Sequence, residues 1–177
     1  MSLLHTFDIN FVGLNNGVND FSYQIDEQFF ELYEYSLVKK GDLAVKLTFD
    51  KNDNFFTLEF DIEGTVELIC DRCADPFNYQ VKAVEQQLVK IEEEANDGVD
   101  DWIVLGKKDF QLNVASLIYE FIMISLPLIN LHPDNEDGTS GCNPETISLL
   151  KRLSIHEGDS KTDPRWDALK NINPGLN

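Results

Sequence analysis

Apolar and polar side chains alternate through "NFFTLEFDIEGTVELIC", residues 54–70. From Phe56 onward the even positions are apolar, while the odd positions from 57 to 67 carry Thr, Glu or Asp. A period of two predicts a β-strand that buries one face. Gly64 interrupts the run and predicts a bulge or a sharp bend. Cys70 closes the apolar face, so its sulfur is expected to point inward or along the end of the sheet.

The segments on either side of this strand have the same period. "DLAVKLTFD" (42–50) alternates in the same way, and "DKNDN" (50–54) is a turn cluster of the kind that joins antiparallel neighbours. After the central strand, "FNYQVKAVEQQLVKI" (77–91) again places its apolar side chains mainly on one parity. The sequence therefore predicts a three-stranded antiparallel meander.

Beyond the meander the apolar spacing becomes helical. "NVASLIYEFIMISLPL" (113–128) predicts a buried helix that Asn113 caps and that ends before Pro127. A second helix is predicted over about 144–153, with Asn143 as its cap and Pro144 at its first position. Its inward side chains are expected to be Ile147, Leu150 and Leu153.

Together these elements predict an α+β fold, an antiparallel sheet with a buried helix packed on it and short C-terminal helices. One domain over 1–177 suits this length. At the start of the chain, "HTFDINFVGL" (5–14) alternates like a strand, and "DEQFFELYEYSLVKK" (26–40) fits a helix or an irregular strand. We expect a strand followed by a helix-like segment there.

Charge is the most unusual bulk property, with a formal net charge of −18. Such a surface repels phosphate backbones and attracts basic partners, so any contact with nucleic acid must be local. The run 92–101 holds six acids and no Lys or Arg, and predicts a solvated loop or a docking site for a basic protein. The tail, 151–177, is nearly neutral, and part of it is predicted to be flexible.

No apolar stretch approaches the roughly 20 residues that span a bilayer, and no signal peptide is evident, so we expect a soluble cytoplasmic protein without a membrane partner. The chain has three cysteines, an odd number, which favours reduced thiols over a disulfide framework. No glycine-flanked serine elbow and no Walker or Rossmann glycine loop is present. We therefore expect a protein that is not an enzyme.

The pair Cys70 and Cys73 stands in a strand-to-strand turn, and this spacing lets two thiolates bind one metal ion. Zinc takes about four ligands, and the remaining candidates are Cys142 and the histidine nearest to it, His132. The alternatives are reduced structural thiols with a surface imidazole, or a redox dithiol. The redox alternative is weaker, because a catalytic dithiol usually sits at a helix N-terminus and because Asp71 and its neighbour Asp75 are expected to raise the thiol pKa values.

Three motifs occur in a fixed order along the chain: "CDRCADPF" (70–77), "SLPLINLHPDNEDG" (125–138) and "DPRWDALKNI" (163–172). Together they resemble the bacterial YceD family, which is linked to the accumulation of large-subunit ribosomal RNA. The resemblance covers roughly residues 40 to 172. Many members carry a second cysteine pair in the loop after the helix, whereas "SGCNPE" (140–145) keeps one cysteine. A four-thiolate site within one chain is thus excluded, and His132 is the substitute.

The resemblance implies a non-enzymatic ribosome-assembly factor that binds large-subunit precursor RNA or a basic ribosomal protein. The alternatives are an acidic chaperone of a ribosomal protein without RNA contact and, more weakly, a thiol oxidoreductase. The tail holds the cationic density, and Trp166 could stack on a base, although an aromatic residue in such a position more often packs onto the domain. The residues predicted to contact RNA or another partner are Lys151, Arg152, Lys161, Arg165, Trp166 and Lys170.

Overall fold

The computed structural model describes residues 3–94, 102–154 and Arg165. The chain divides into two compact units, residues 1–132 and 133–177. The single domain over 1–177 stays a prediction.

The first unit is a β-rich fold with a few helices. Two short 3₁₀ helices, Leu3–Phe7 and Phe11–Gly13, flank strand β1. The strands and helices of this unit are β1 (Asp8–Ile9), β2 (Gly17–Ile25), α1 (Glu27–Phe30), β3 (Gly41–Lys51), β4 (Phe55–Ile69), β5 (Pro76–Glu92), β6 (Trp102–Gly106), β7 (Leu112–Asn113) and α2 (Ala115–Ile124).

Within the described residues, the main sheet has the strand order β2-β3-β4-β5-β6. The pairs β2–β3, β3–β4 and β4–β5 are antiparallel, and the pair β5–β6 is parallel. The predicted meander, β3 to β5, and the α+β class are confirmed. Strands β2 and β6 extend the sheet beyond the prediction. β2 begins with "GVND", which carries little alternation, and β6 is a short apolar run without any.

One face of the sheet forms the core, as the alternation predicted. The even positions of β4 from Phe56 to Leu68 are buried except Gly64. Helix α2 packs on this face, and the rings of Phe60 and Phe121 lie 5.1 Å apart between centroids. The predicted cap of α2 is wrong by one residue, because the N-cap is Val114 and its side chain makes no capping hydrogen bond. Asn113, one position earlier, still accepts a hydrogen bond at Oδ1 from the Ala115 N–H at 3.0 Å. On the other face of β4, three acids at alternate positions are exposed: Glu59, Asp61 and Glu63.

The predicted bulge at Gly64 is wrong. Gly64 lies in an unbroken register, opposite Leu43 on one side and Val81 on the other. Its φ of +154° and a close approach of β3 explain the glycine. An added Cβ would lie 2.6 Å from the Cα of Leu43 and closer still to the carbonyl oxygen of Asp42. Sequence alone could not separate a bulge from a close approach, since both require glycine.

The start of the chain is more irregular than predicted, with 3₁₀ turns around a two-residue strand and a single-turn helix α1. Of the predicted acidic loop 92–101, Glu92 belongs instead to β5, and residues 95–101 lie outside the described residues. Asp26 caps α1 by accepting hydrogen bonds from the N–H groups of Gln28 and Phe29.

The second unit contains helix α3 (Pro144–Leu153). Its predicted cap is confirmed, because the Asn143 side chain accepts hydrogen bonds from the N–H groups of Glu145 and Thr146. The predicted inward face is wrong. Leu150 and Leu153 are 45% and 71% exposed, and Ile147 is half-buried. Helical spacing shows which side chains share a face but not whether another element covers that face.

Candidate metal centre

The cysteine turn, residues 70–75, joins β4 to β5 at the tip of a long hairpin. It is closed by two backbone hydrogen bonds: the Cys70 N–H donates to the Asp75 carbonyl at 3.0 Å, and the Ala74 N–H donates to the Cys70 carbonyl at 2.8 Å. Ala74 takes a φ of +62°, which a non-glycine residue adopts only where the turn requires it. The turn is therefore compact, and it carries both cysteines as buried side chains.

A second pair of hydrogen bonds connects this turn to the segment that follows α2. The Asp71 N–H donates to the Asn130 carbonyl at 2.7 Å, and the Asn130 N–H donates to Asp71 Oδ2 at 2.7 Å. The reciprocal bonds fix residues 130–132 beside the turn. As a result, His132 Nδ1 lies 3.4 Å from Cys73 Sγ. The Phe77 ring packs on the imidazole, with 4.9 Å between ring centroids.

The environment of Cys70 favours a thiolate. Burial raises the pKa of its thiol, but the backbone N–H groups of Cys73, His132 and Arg72, together with the His132 side chain, lower that pKa to about 5. The prediction that neighbouring aspartates raise the Cys70 pKa is wrong. One reason is that the Asp71 carboxylate is engaged by the Asn130 N–H. Hydrogen bonds to a sulfur stabilise the charged form that binds a metal.

In the second unit, a loop presents Cys142 just before α3. The Asn135 N–H donates to the Thr139 carbonyl at 2.8 Å, and the Gly138 N–H donates to the Asn135 carbonyl at 2.9 Å. The Cys142 N–H then donates to Ser140 Oγ at 3.3 Å. Cys142 is 3% exposed. The cap at Asn143 follows it directly, so the start of the helix fixes the position of this thiol.

The ligand atoms of Cys70, Cys73, His132 and Cys142 all lie within 4.8 Å of one another, close enough to hold a metal ion. Three thiolates and an imidazole are a common donor set for structural zinc. Tetrahedral zinc with Zn–S near 2.3 Å and Zn–N near 2.0 Å places sulfur and nitrogen about 3.5 Å apart. The 3.4 Å between Cys73 Sγ and His132 Nδ1 is close to that value. The donor set and its spacing fit zinc.

The residues predicted to contact RNA are only partly described. Lys151 and Arg152 lie in the last turn of α3, and both are exposed. Arg165 is exposed as well. The remaining three, Lys161, Trp166 and Lys170, lie outside the described residues.

Sequence reasoning missed three residues that support the site: Asp71, Asn130 and Phe77. The reciprocal pairing of Asp71 with Asn130 spans 59 positions in the chain, so no local spacing reveals it. Phe77 was assigned to the sheet by its parity, and its contact with His132 depends on the fold. The signal in the sequence is their position: Asp71 in "DRC" lies next to Cys70, and Asn130 in "INLH" lies two residues before His132.

A family model described as "Large ribosomal RNA subunit accumulation protein YceD" matches residues 58–173. The matched range contains the four candidate ligands and helix α3. No curated protein and no solved structure matches the chain. Among the described residues, no helix has both the length and the apolar character needed to cross a membrane.

Proposed function

The chain belongs to the YceD family, and on this basis we propose that it supports the accumulation of large-subunit ribosomal RNA as a zinc-stabilised assembly factor that catalyses no reaction. The observation that carries the proposal is the match of the family model over residues 58–173. The family is named for an effect on RNA level, which suits a factor that binds an assembly intermediate.

The zinc would be held by Cys70, Cys73, His132 and Cys142. Bound there, it would supply a cross-link that closes the chain between residue 70 and residue 142. Closing so long a loop removes conformational freedom from the unfolded chain and so stabilises the folded state. The N–H groups directed at Cys70 and the ring of Phe77 against His132 would orient two of the four ligands.

A structural role for this centre is supported by its four protein ligands and its burial. The exposed fraction is 1% for Cys70, 6% for Cys73 and 3% for Cys142. Catalytic zinc keeps a coordination position for water or substrate, whereas structural zinc takes four protein ligands. The same burial argues against a thiol oxidoreductase, because thiol–disulfide exchange requires access to the attacked sulfur.

The direct partner is the finer part of the proposal, and we favour RNA bound through a local cationic surface. A second candidate is capture of a basic ribosomal protein, which the exposed acids of β4 and the net charge of −18 favour. A double variant, Glu59→Gln with Asp61→Asn, distinguishes the two candidates. If the partner is a basic ribosomal protein, the variant binds that protein more weakly. If the partner is RNA, the variant binds RNA at least as well as the wild type does.

The proposal is tested in cells that lack this protein, by measuring the ratio of large-subunit to small-subunit ribosomal RNA. We expect the ratio to fall, and to recover with the wild-type gene but not with a Cys70→Ala, Cys73→Ala variant. The matched control is Ser22→Ala with Ser116→Ala, two exposed serines outside the metal centre, which should restore the ratio. An unchanged ratio in the cells that lack the protein would overturn the proposed function.

A further inference from the structure

The second unit contains an open groove of about 870 Å³ between α3 and the loop before it. Helix α3 contributes Ser148, Lys151 and Arg152 to its lining. The loop before the helix contributes Asn135, Thr139 and Ser140. The groove thus lies within residues 135–152 of this unit.

The chemistry of the groove is the reverse of the protein's bulk charge. Two cations and four hydroxyl or amide side chains line it, and among the described residues no carboxylate does. The nearby acid Asp137 is turned into the loop, where its carboxylate accepts hydrogen bonds from the N–H and the hydroxyl of Thr139, at 2.9 and 2.5 Å. In a chain of net charge −18, a groove lined without acids is suited to an anion.

The two cations are available for a ligand. Four lysines of the first unit, Lys40, Lys82, Lys90 and Lys107, form ion pairs with glutamates. By contrast, neither Lys151 nor Arg152 has an ion pair within the described part of the chain. Cations in the last turn of a helix also interact favourably with the helix dipole, but that effect does not require a groove of hydrogen-bonding side chains beside them.

We propose that this groove binds a single-stranded RNA segment through its phosphodiester backbone, with Lys151 and Arg152 on the phosphates and the hydroxyl and amide side chains on phosphate and ribose oxygens. The inference deepens the proposed function and rests on it. A groove of mixed cations and neutral donors matches phosphate and ribose groups, whereas a basic polypeptide would meet like charge there.

The test compares binding of a fluorescein-labelled single-stranded oligouridylate to the zinc-loaded full chain by fluorescence anisotropy over a range of salt concentrations. The variant is Lys151→Gln with Arg152→Gln. The matched control is Lys46→Gln with Lys82→Gln, which removes the same charge from exposed positions on the sheet. Thermal unfolding of each variant checks that the fold is intact.

We expect the Lys151, Arg152 variant to bind about 10-fold more weakly and its log–log salt slope to become shallower by about 1 to 1.5, as for two lost phosphate contacts. The control should bind like the wild type. Three results would each overturn the inference. The variant could bind RNA as tightly as the wild type, or the variant and the control could lose affinity equally. The third result is a wild-type chain that binds purified large-subunit ribosomal proteins through these cations but does not bind RNA.

The same variants separate this inference from the proposed function. If Lys151→Gln with Arg152→Gln restores ribosomal RNA in cells lacking the protein as fully as the wild type does, the groove is not the RNA site while the proposed function stands. If absence of the protein leaves the RNA ratio unchanged, the proposed function itself fails.

Discussion

The Cys70 thiol shows how a hairpin turn can stabilise the charged form of a candidate metal ligand. Its sulfur is buried, yet backbone N–H groups from its own turn and from His132 stabilise the thiolate and lower the pKa from an ordinary value of 9.0 to about 5. The negative form is therefore stabilised before any metal binds. The N–H groups come from two segments that only the fold brings together, so the lowered pKa is a property of the folded chain.

The lowered pKa predicts how the stability of the metal-free protein depends on pH. A thiol whose pKa falls on folding stabilises the folded state fully above its unfolded-state pKa, and this stabilisation is lost as the pH falls through the folded-state pKa. Between pH 9 and pH 5, the free energy of unfolding of the wild type should thus fall relative to that of Cys70→Ala. Urea unfolding with a chelator and a reductant measures this difference, and a pH-independent difference would contradict the pKa.

The reciprocal hydrogen bonds of Asp71 and Asn130 predict that Asp71 positions His132. Asp71→Ala removes the acceptor of the Asn130 N–H and loosens the segment that carries the imidazole. We expect zinc affinity to fall about 10-fold, as when supporting partners of metal ligands are lost. Competition with a zinc-binding dye measures it. The control Asp61→Ala removes an exposed acid from the sheet, and an equal loss in that control would assign the effect to charge.

At the residue scale, the sequence predicted which candidate ligands lie together better than it predicted their surroundings. The Cys70, Cys73 spacing and the scarcity of other thiols and histidines were enough to select four residues whose ligand atoms lie together. The shift in the pKa of Cys70 was predicted in the wrong direction, because the sequence gives the positions of the nearby aspartates but not the orientations of their carboxylates. Hydrogen-bond direction depends on the fold and cannot be read from spacing.

At the scale of elements, the β3–β4 pair depends on the glycine at position 64. Gly64→Ala would place a methyl group 2.6 Å from the Leu43 Cα, at a φ that disfavours side chains. We expect a loss of about 3 kcal/mol in the free energy of unfolding. Urea denaturation measures it. Gly13→Ala is the control, since its nearest neighbour atom lies 4.0 Å away, and a Gly64 variant as stable as that control would contradict the close approach.

Alternation predicted the long strands of the main sheet correctly, but at residues 5–14 it predicted a strand where the chain forms mainly 3₁₀ turns. β3, β4 and β5 each bury one face, so their period of two is visible in the sequence. β6 pairs in parallel with β5 over a few residues, and such a pairing has no local signature. The cap of α3 was read correctly because Asn143 and Pro144 act locally, while the exposure of its leucines depends on what lies next to the helix.

At the scale of the whole molecule, the protein combines a strongly acidic composition, a candidate zinc centre and a groove whose described lining contains no acids. The net charge of −18 restricts any RNA contact to a local surface, and the groove beside α3 is such a surface. The family was recognisable from three ordered motifs, and the family model confirms it. The groove was not foreseen, since its walls come from a loop and a helix whose arrangement the sequence does not encode locally.

The most direct test of the central claim is X-ray absorption spectroscopy at the zinc edge, with elemental analysis of the same sample, on protein purified without added metal. We predict one zinc ion per chain, with three sulfur neighbours at about 2.3 Å and one nitrogen at about 2.0 Å. Cys142→Ala should show two sulfurs or lose the metal. A protein that purifies without zinc and does not take it up, or a zinc shell without sulfur, would contradict the claim.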